Sequence, residues 1–180
     1  MITRPKYSGF TLVEILVVVI IIGICATIVV PAIGSHDDQN VAAAARSMAA
    51  DMIFAQNRAI LSQSFRYVKA DTTSQNYAVL TNKPNILPLA YETNPSTLQN
   101  YIANFGNAAP PGGMQSVVLQ NPNVDSKTCI AFDEIGQPYS CDVATGACVL
   151  LVNPASFPIH SGSITLTVFV DPYTGAVRVQ

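Results

Sequence analysis

Charged side chains are scarce in this sequence. They make up 11% of its 180 residues, whereas a soluble domain usually carries about 25%. The formal net charge is −2 and no run of basic residues occurs, so the composition gives no basis for a general affinity for nucleic acid. Apolar residues reach 49% and concentrate near the N-terminus. This distribution indicates a membrane anchor followed by one domain large enough to bury a core.

The sequence also lacks the motifs of common catalytic and cofactor sites. It has no phosphate-binding loop, no dinucleotide fingerprint and no Cys-x-x-Cys or histidine-rich spacing for zinc. Neither histidine has the context of a catalytic triad, and His160, two residues after Pro158, is predicted to lie in a solvated loop. We therefore predict no enzymatic activity, no cofactor and no metal site. Four acidic residues farther along also show no Asp-x-Asp-x-Asp-Gly calcium spacing: Asp125, Asp133, Glu134 and Asp142.

A long apolar run follows a short polar start. Between Phe10 and Val30 the only charged residue is Glu14. As a helix, this run would span about 32 Å, against roughly 30 Å for the hydrocarbon of a bilayer. Because the cations Arg4 and Lys6 precede the run, the positive-inside rule places the N-terminus in the cytoplasm and the rest of the chain outside.

Two common interpretations of this run do not account for Glu14. A secretory signal peptide has a shorter apolar core, although the small residues at 32–34 would suit its cleavage. A plain single-span anchor does not explain a carboxylate that costs roughly 2.5–3.5 kcal/mol at a helix centre. No lysine, arginine or histidine lies between Phe10 and Gly34, so a charge partner for Glu14 must come from elsewhere.

The segment from Gly9 to Glu14, Gly-Phe-Thr-Leu-Val-Glu, resembles the type IV prepilin signature. The resemblance implies that a prepilin peptidase cleaves after Gly9 and methylates the new N-terminal Phe10. It also implies that Glu14 pairs with the Phe10 ammonium of a neighbouring subunit during assembly, which supplies the missing charge partner. Gly23 and Pro31 lie where pilin helices often carry a breaker, and Pro31 would kink or end the first helical stretch.

A second, amphipathic helix is predicted after a break at Gly34. Ser35 and the pair Asp37-Asp38 offer capping groups for its start. Apolar residues then recur every three or four positions up to about Ser62, at Val41, Ala45, Met48, Met52, Ala55 and Ala59. The predicted organisation is a cleaved leader at 1–9, the transmembrane part of the N-terminal helix at 10–34, its amphipathic part at 35–64 and a β-rich extracytoplasmic head at 65–180.

Short strand patterns dominate the chain after residue 64. The segments 65–70 and 77–81 flank a polar turn and predict a hairpin. Residues 82–116 are rich in Pro, Asn and Gly and predict a long loop with a short helix around 98–105. Further strands are predicted at 117–119, 130–132, 148–152, 164–170 and 176–180. The expected fold class is therefore α+β, with a long N-terminal helix packed on an antiparallel β-rich head, as in the pilin fold.

Parts of the head resemble the GspH/FimT family of minor pilins and pseudopilins. The similar stretches are 45–60, 130–132 with Gly136, and 164–170 with 175–179. The resemblance implies a role in a type II secretion pseudopilus or in initiating a type IV pilus, and some FimT members bind DNA through a C-terminal Gly-Arg-x-Arg. Here that stretch reads Gly175-Ala176-Val177-Arg178. Only Arg178 is left as a candidate contact, which argues against nucleic acid as a partner.

Four cysteines are present, one of them, Cys25, inside the apolar run. Cys141 and Cys148 form the preferred disulfide candidate, because Thr145-Gly146 between them suits a turn that joins facing strands. Cys129–Cys141 is the alternative pairing, and reduced, buried cysteines are a third outcome.

These features favour a structural assembly protein: a single-pass protein of the inner (cytoplasmic) membrane with a periplasmic head, associated with a filament. The preferred function is that of a minor pseudopilin in a type II secretion system. The alternatives are a minor pilin of a type IV pilus, with a role in assembly or DNA uptake, and a membrane-anchored enzyme or receptor. The expected partners are the prepilin peptidase, other pilins or pseudopilins bound through the N-terminal helix, and the assembly platform of the inner membrane.

Overall fold

The computed structural model of the chain describes residues 11–32, 37–106 and 117–180. The chain forms two compact units, Met1–His36 and Asp37–Gln180. The first contains helix α1 (Leu12–Ala32). The second, the head, contains helix α2 (Asp37–Ser62) and ten strands, all paired antiparallel. The predicted α+β class with an N-terminal helix and antiparallel sheets is confirmed.

Helix α1 begins at a capping threonine. The backbone N–H of Glu14 donates to the carbonyl of Thr11 at 3.1 Å and to its Oγ1 at 3.3 Å, so the hydroxyl satisfies one of the free donors of the first turn. The helix continues through Gly23 and ends one residue after Pro31. A kink at either residue stays a prediction.

Helix α2 buries one stripe of small and flexible apolar side chains. Asp38 caps its first turn, since its carboxylate accepts the N–H of Gln39 at 2.9 Å. The stripe includes the six positions named from the sequence and one more, Ala44. Alanines at this spacing let the sheets approach the helix closely, while Met48 and Met52 fill the remaining space.

The strands of the head form two sheets. The six-stranded sheet contains β1 (Arg66–Asp71), β2 (Asn76–Leu80), β3 (Ile102–Asn104), β5 (Cys129–Phe132), β6 (Pro138–Cys141) and β7 (Cys148–Leu150), and the four-stranded sheet contains β4 (Val118–Leu119), β8 (Ala155–Ser161), β9 (Ile164–Val170) and β10 (Val177–Val179). Their orders are β3-β2-β1-β5-β6-β7 and β10-β9-β8-β4. The predicted hairpin is the β1–β2 pair, with Tyr67 opposite Leu80.

The core of the head lies where α2 meets the two sheets. Val68, Val79 and Phe132 point into it from the six-stranded sheet, and Phe157 and Val168 from the four-stranded one. Each such side chain contributes roughly 1.5–3 kcal/mol when it is fully buried. The opposite face of the six-stranded sheet carries a second, smaller apolar cluster that includes Tyr67, Leu80, Cys129 and Cys141.

Two turns from different sheets meet on α2. The turn after β5 contains Gly136 and the turn after β9 contains Gly175, with φ of +84° and +66°. Gln56 donates from Nε2 to the Gly136 carbonyl at 2.8 Å. A Cβ on Gly175 would press against both that carbonyl and the Gln56 amide, so glycine is required here for close approach as well as for its backbone conformation.

The short helix predicted around 98–105 is wrong, because this segment supplies strand β3. Tyr101 and Phe105 are buried four residues apart, a spacing that also fits a helix. Their backbone groups bond to the sheet instead: the N–H of Val79 donates to the Tyr101 carbonyl at 3.0 Å, and the N–H of Phe105 donates to the Gln75 carbonyl at 2.7 Å. Pairing with β2 therefore overrides the local pattern.

The prediction that His160 lies in a solvated loop is also wrong. His160 belongs to β8 and is half-buried, and its Nδ1 has no hydrogen-bond partner among the described residues. Pro158 is accommodated in the same strand because its carbonyl accepts the N–H of Gln120 at 2.9 Å. The backbone N–H that proline lacks would point to the same side, toward the short strand β4. Few hydrogen bonds between β8 and β4 are therefore lost.

Candidate functional site

Apart from Glu14, the described side chains of α1 are apolar around the whole circumference of the helix. From Leu12 to Cys25 every side chain is exposed, and Glu14 is the only charged one. A helix that is apolar on all sides is normally covered by lipid or by other helices. Among the residues that the structure describes, no helix is long and apolar enough to cross a membrane.

Glu14 lies in the first turn of this helix. A carboxylate is favoured there by the positive end of the helix dipole, and Thr11-x-x-Glu14 has the spacing of a capping box. The structure therefore shows a local reason for an acidic or amide side chain at this position, which sequence reasoning missed. Gly9 and Phe10, the predicted processing residues, lie outside the described residues.

Glu92 binds two arginines that come from distant parts of the chain. Its Oε1 accepts a hydrogen bond from Arg58 of α2 at 2.8 Å, and its Oε2 accepts one from Nε of Arg66 at the start of β1. The side chains of Glu92 and Arg66 are only 6% and 9% exposed, whereas that of Arg58 is 43% exposed. Burial raises the pKa of Glu92, but the hydrogen bonds from the two guanidinium groups outweigh it and hold this pKa below its usual value.

Asp51 of α2 accepts hydrogen bonds from two tyrosines of the six-stranded sheet. The hydroxyl of Tyr77 lies 2.6 Å and that of Tyr101 2.8 Å from its carboxylate oxygens. Burial raises the pKa of Asp51 against the opposing effect of these two bonds, and burial beside the carboxylate raises the pKa of both tyrosines. These hydrogen bonds join α2 to the six-stranded sheet. Glu92 likewise joins α2 to the start of β1 through Arg58 and Arg66.

The predicted disulfide between Cys141 and Cys148 is confirmed. Their Cα atoms lie 4.1 Å apart on the paired strands β6 and β7. Cys25 and Cys129 are free thiols, the first exposed and the second buried. The alternative pairing of Cys129 with Cys141 is therefore not the one that the structure contains.

The four acidic residues considered for calcium do not converge. Asp125, Asp133 and Asp142 each accept backbone N–H groups, those of Val152 and Asn153, of Ile135 and Gln137, and of Ala144 and Thr145 respectively. Such bonds belong to loop and turn structure. Within the described ranges, no group of three or more metal-ligating side chains is present.

Arg178, the one candidate for a nucleic-acid contact, lies exposed on the edge strand β10, opposite Phe169. Asp171 is close enough for the arginine to contribute to the low pKa of this carboxyl, after the hydrogen bonds from Thr174 and Tyr173. A single cation beside an anion is a weak phosphate site.

Comparison with known proteins gives matches in sequence and in fold. A family model for the prokaryotic N-terminal methylation motif matches residues 4–30. The type II secretion system core protein G of Pseudomonas aeruginosa is 58% identical over 36 residues, which are 20% of this chain and 25% of that protein. The chain thus matches only a quarter of the length of this curated relative.

The fold has a counterpart among solved structures. The minor pseudopilin EpsH from the type 2 secretion system of Vibrio cholerae is similar with a TM-score of 0.51, over 78% of this chain and 96% of that one, at 11% sequence identity. The chain thus combines an N-terminal methylation motif with a fold similar to that of a minor pseudopilin. At 11% identity this likeness concerns the fold alone.

Proposed function

We propose that the chain is a minor pseudopilin of a type II secretion system, assembled into a filament that is anchored in the inner membrane. The observation that carries this proposal is the combination of the match to core protein G, at 58% identity over 36 residues, with the pseudopilin fold of the head. The first supports a role in a secretion system, and the second supports the role of a minor subunit.

In this proposal the N-terminal segment does the assembly work. A prepilin peptidase removes residues 1–9 and methylates Phe10. The apolar surface of α1 then inserts into the membrane and later packs among the helices of other pseudopilins on the inner-membrane assembly platform. Apolar burial supplies most of the binding energy. The carboxylate of Glu14 neutralises the Phe10 ammonium of the neighbouring subunit and thereby sets the register.

A minor pilin of a type IV pilus is the second candidate. The GspH/FimT-like stretches of the head support it, since that resemblance covers both machines. Deleting the gene separates the two: loss of secreted proteins favours the pseudopilin, and loss of piliation, twitching or transformation favours the pilin. A membrane-anchored enzyme or receptor, the third hypothesis, would leave secretion and piliation intact and would not copurify with filaments.

Processing is the first expected result. Protein purified from its host membranes should have lost residues 1–9 and gained one methyl group on Phe10, as measured by intact mass and N-terminal peptide mass. Gly9→Ala should accumulate as the uncleaved form, because the resemblance places Gly9 directly before the bond that the peptidase cleaves. A mature N-terminus near residue 35 would establish a secretory signal peptide instead and would refute the proposal.

DNA binding is expected to be no stronger than that of a generic neutral protein. The reason is the absence of a second arginine at Ala176 and the net charge of −2, which becomes −4 when Arg4 and Lys6 are removed with residues 1–9. A gel shift with duplex DNA at low salt is the appropriate measurement, because phosphate contacts are strongest there. Micromolar binding that weakens with salt and disappears in Arg178→Ala would contradict this and favour the DNA-uptake hypothesis.

A further inference from the structure

Three cysteines of the head lie in one row across three neighbouring strands. Cys129 of β5 is the direct partner of Cys141 in β6, and Cys141 is the direct partner of Cys148 in β7. Directly paired residues of antiparallel strands project to the same face of a sheet. The free thiol of Cys129 therefore lies on the same face as the disulfide, beside Cys141, the middle cysteine of the row.

Cys141 has a cysteine neighbour on each side in the row. The N–H of Asp133 donates to the Gln137 carbonyl at 3.1 Å, and pair types alternate along a ladder, so Cys129 and Cys141 form a hydrogen-bonded pair. The Cα atoms of such pairs lie about 5.5 Å apart, inside the range of roughly 4.4–6.8 Å that a disulfide spans. Their Cβ atoms lie farther apart than the roughly 3.5–4.5 Å of a disulfide, so the bond from Cys129 to Cys141 requires the two strands to move closer. Cys148 has only Cys141 as a neighbour in the row.

We propose that this row is a thiol–disulfide exchange site, in which Cys129 attacks Sγ of Cys141 and releases Cys148. The bond between Cys129 and Cys141 forms as the bond between Cys141 and Cys148 breaks. The proton that leaves Cys129 ends on Cys148, so the exchange needs no external oxidant or reductant. The alternative bonds join cysteines that are 12 and 7 positions apart. Because loop entropy depends only on the logarithm of loop length, it favours neither bond strongly.

Burial keeps the exchange slow. It raises the pKa of Cys129 to about 12, with Lys69, its partner on β1, opposing the shift in part. Since the thiolate is the attacking species, little of it is present at neutral pH. The turn that joins the two bonded cysteines is also held in place, because Asn85 donates from Nδ2 to the Thr145 carbonyl at 3.0 Å.

The exchange moves a free thiol from the interior to an edge. Cys129 is fully buried, whereas Cys148 is half-buried on the edge strand β7, next to the exposed side chains of Val149 and Leu150. Once released, the Cys148 thiol becomes the site for modification by small thiol reagents or for a disulfide with a cysteine of another protein. The inference concerns the head alone and does not depend on the proposed function.

The first experiment uses the full-length protein, purified in detergent, with Cys25→Ser in every variant so that the exposed thiol of α1 does not interfere. In Cys148→Ser, non-reducing peptide mapping should find a Cys129–Cys141 disulfide. The matched control, Cys129→Ser with Cys148→Ser, should leave Cys141 fully alkylated. Free thiols at both 129 and 141 in the single variant would overturn the proposal.

The second experiment does not require the Cys148 variant to fold. The Cys25→Ser protein is incubated with iodoacetamide under native conditions, and the labelled cysteines are mapped over time. Label should accumulate on Cys148, paired with a new Cys129–Cys141 bond, at least tenfold faster than in the Cys129→Ser control. Absence of label on Cys148, equal labelling in the control, or label on Cys129 with the original bond intact would each refute the exchange.

Discussion

Replacing Glu14 with leucine is expected to leave the protein in the membrane, cleaved as in the wild type, but to remove it from filaments. If the carboxylate neutralises a neighbour's Phe10 ammonium, Glu14→Leu leaves that cation unpaired in a medium of low dielectric. Breaking one half of a buried pair costs about 3–5 kcal/mol, which corresponds to a fall of about a hundredfold or more in the ratio of filament-associated to membrane-associated protein. The measurement compares this ratio between wild type and variant, in sheared filaments or in crosslinks to partner pseudopilins.

Two further variants separate charge pairing from helix capping. Glu14→Gln keeps a side chain that suits the capping position three residues after Thr11, but it has no charge. Glu14→Asp keeps the charge on a shorter side chain. We expect the glutamine variant to fail as the leucine variant does and the aspartate variant to retain part of the assembly. Equal incorporation of Glu14→Leu and wild type would remove Glu14 from the mechanism and weaken the assembly proposal itself.

Replacing Glu92 with glutamine is expected to destabilise the head by about 3 kcal/mol, because Arg66 would then be buried without a counter-charge. For a domain of this size the midpoint of thermal unfolding, followed by circular dichroism, should fall by roughly 6–12 °C. Arg58→Ala is the matched control. Its side chain is 43% exposed, so its loss should cost no more than about 1 kcal/mol. Equal effects of the two variants would contradict this assignment.

The difference between wild type and Glu92→Gln should also depend on pH. The hydrogen bonds from Arg58 and Arg66 lower the pKa of Glu92 below its usual value of 4.5 despite the effect of burial. The stabilisation is therefore fully present above pH 4.5 and is lost as the pH falls through the lower pKa of the folded state. Asp51, whose pKa is raised, is present in both proteins and cancels in the comparison. A difference that stays constant from pH 7 to pH 3 would show that the charge of Glu92 is not its source.

The elements that could be predicted from the sequence are those whose signal is local. Helix α2 carries its own three-to-four periodicity. Strand β9 is predicted with its observed bounds, 164–170, because this segment is a continuous run rich in β-branched and aromatic residues. Strands β6 and β8 were missed, since Pro138 and Pro158 weaken the local pattern. Strand β3 was missed because only its pairing with β2 distinguishes it from a helical turn.

The same distinction applies to the functional residues. Gly9, Phe10 and Glu14 form a contiguous signature, and their roles stay predictions from it. The disulfide was predictable because a turn signal lies between its cysteines. The partners of Glu92 were not, since Arg58 and Arg66 lie 34 and 26 positions away and no spacing rule connects a residue of a proline-rich loop to a helix and a strand.

The contact at Gln56 also has a mechanical meaning. This one side chain touches the turn after β5 and the turn after β9, so at this level of α2 a single residue joins the helix to both sheets. Tension applied along α2 would reach the two sheets together there instead of peeling one away before the other. In a filament subunit that is pulled from its N-terminal end, the head would then resist extension as one body, and its first rupture would free both turns at once.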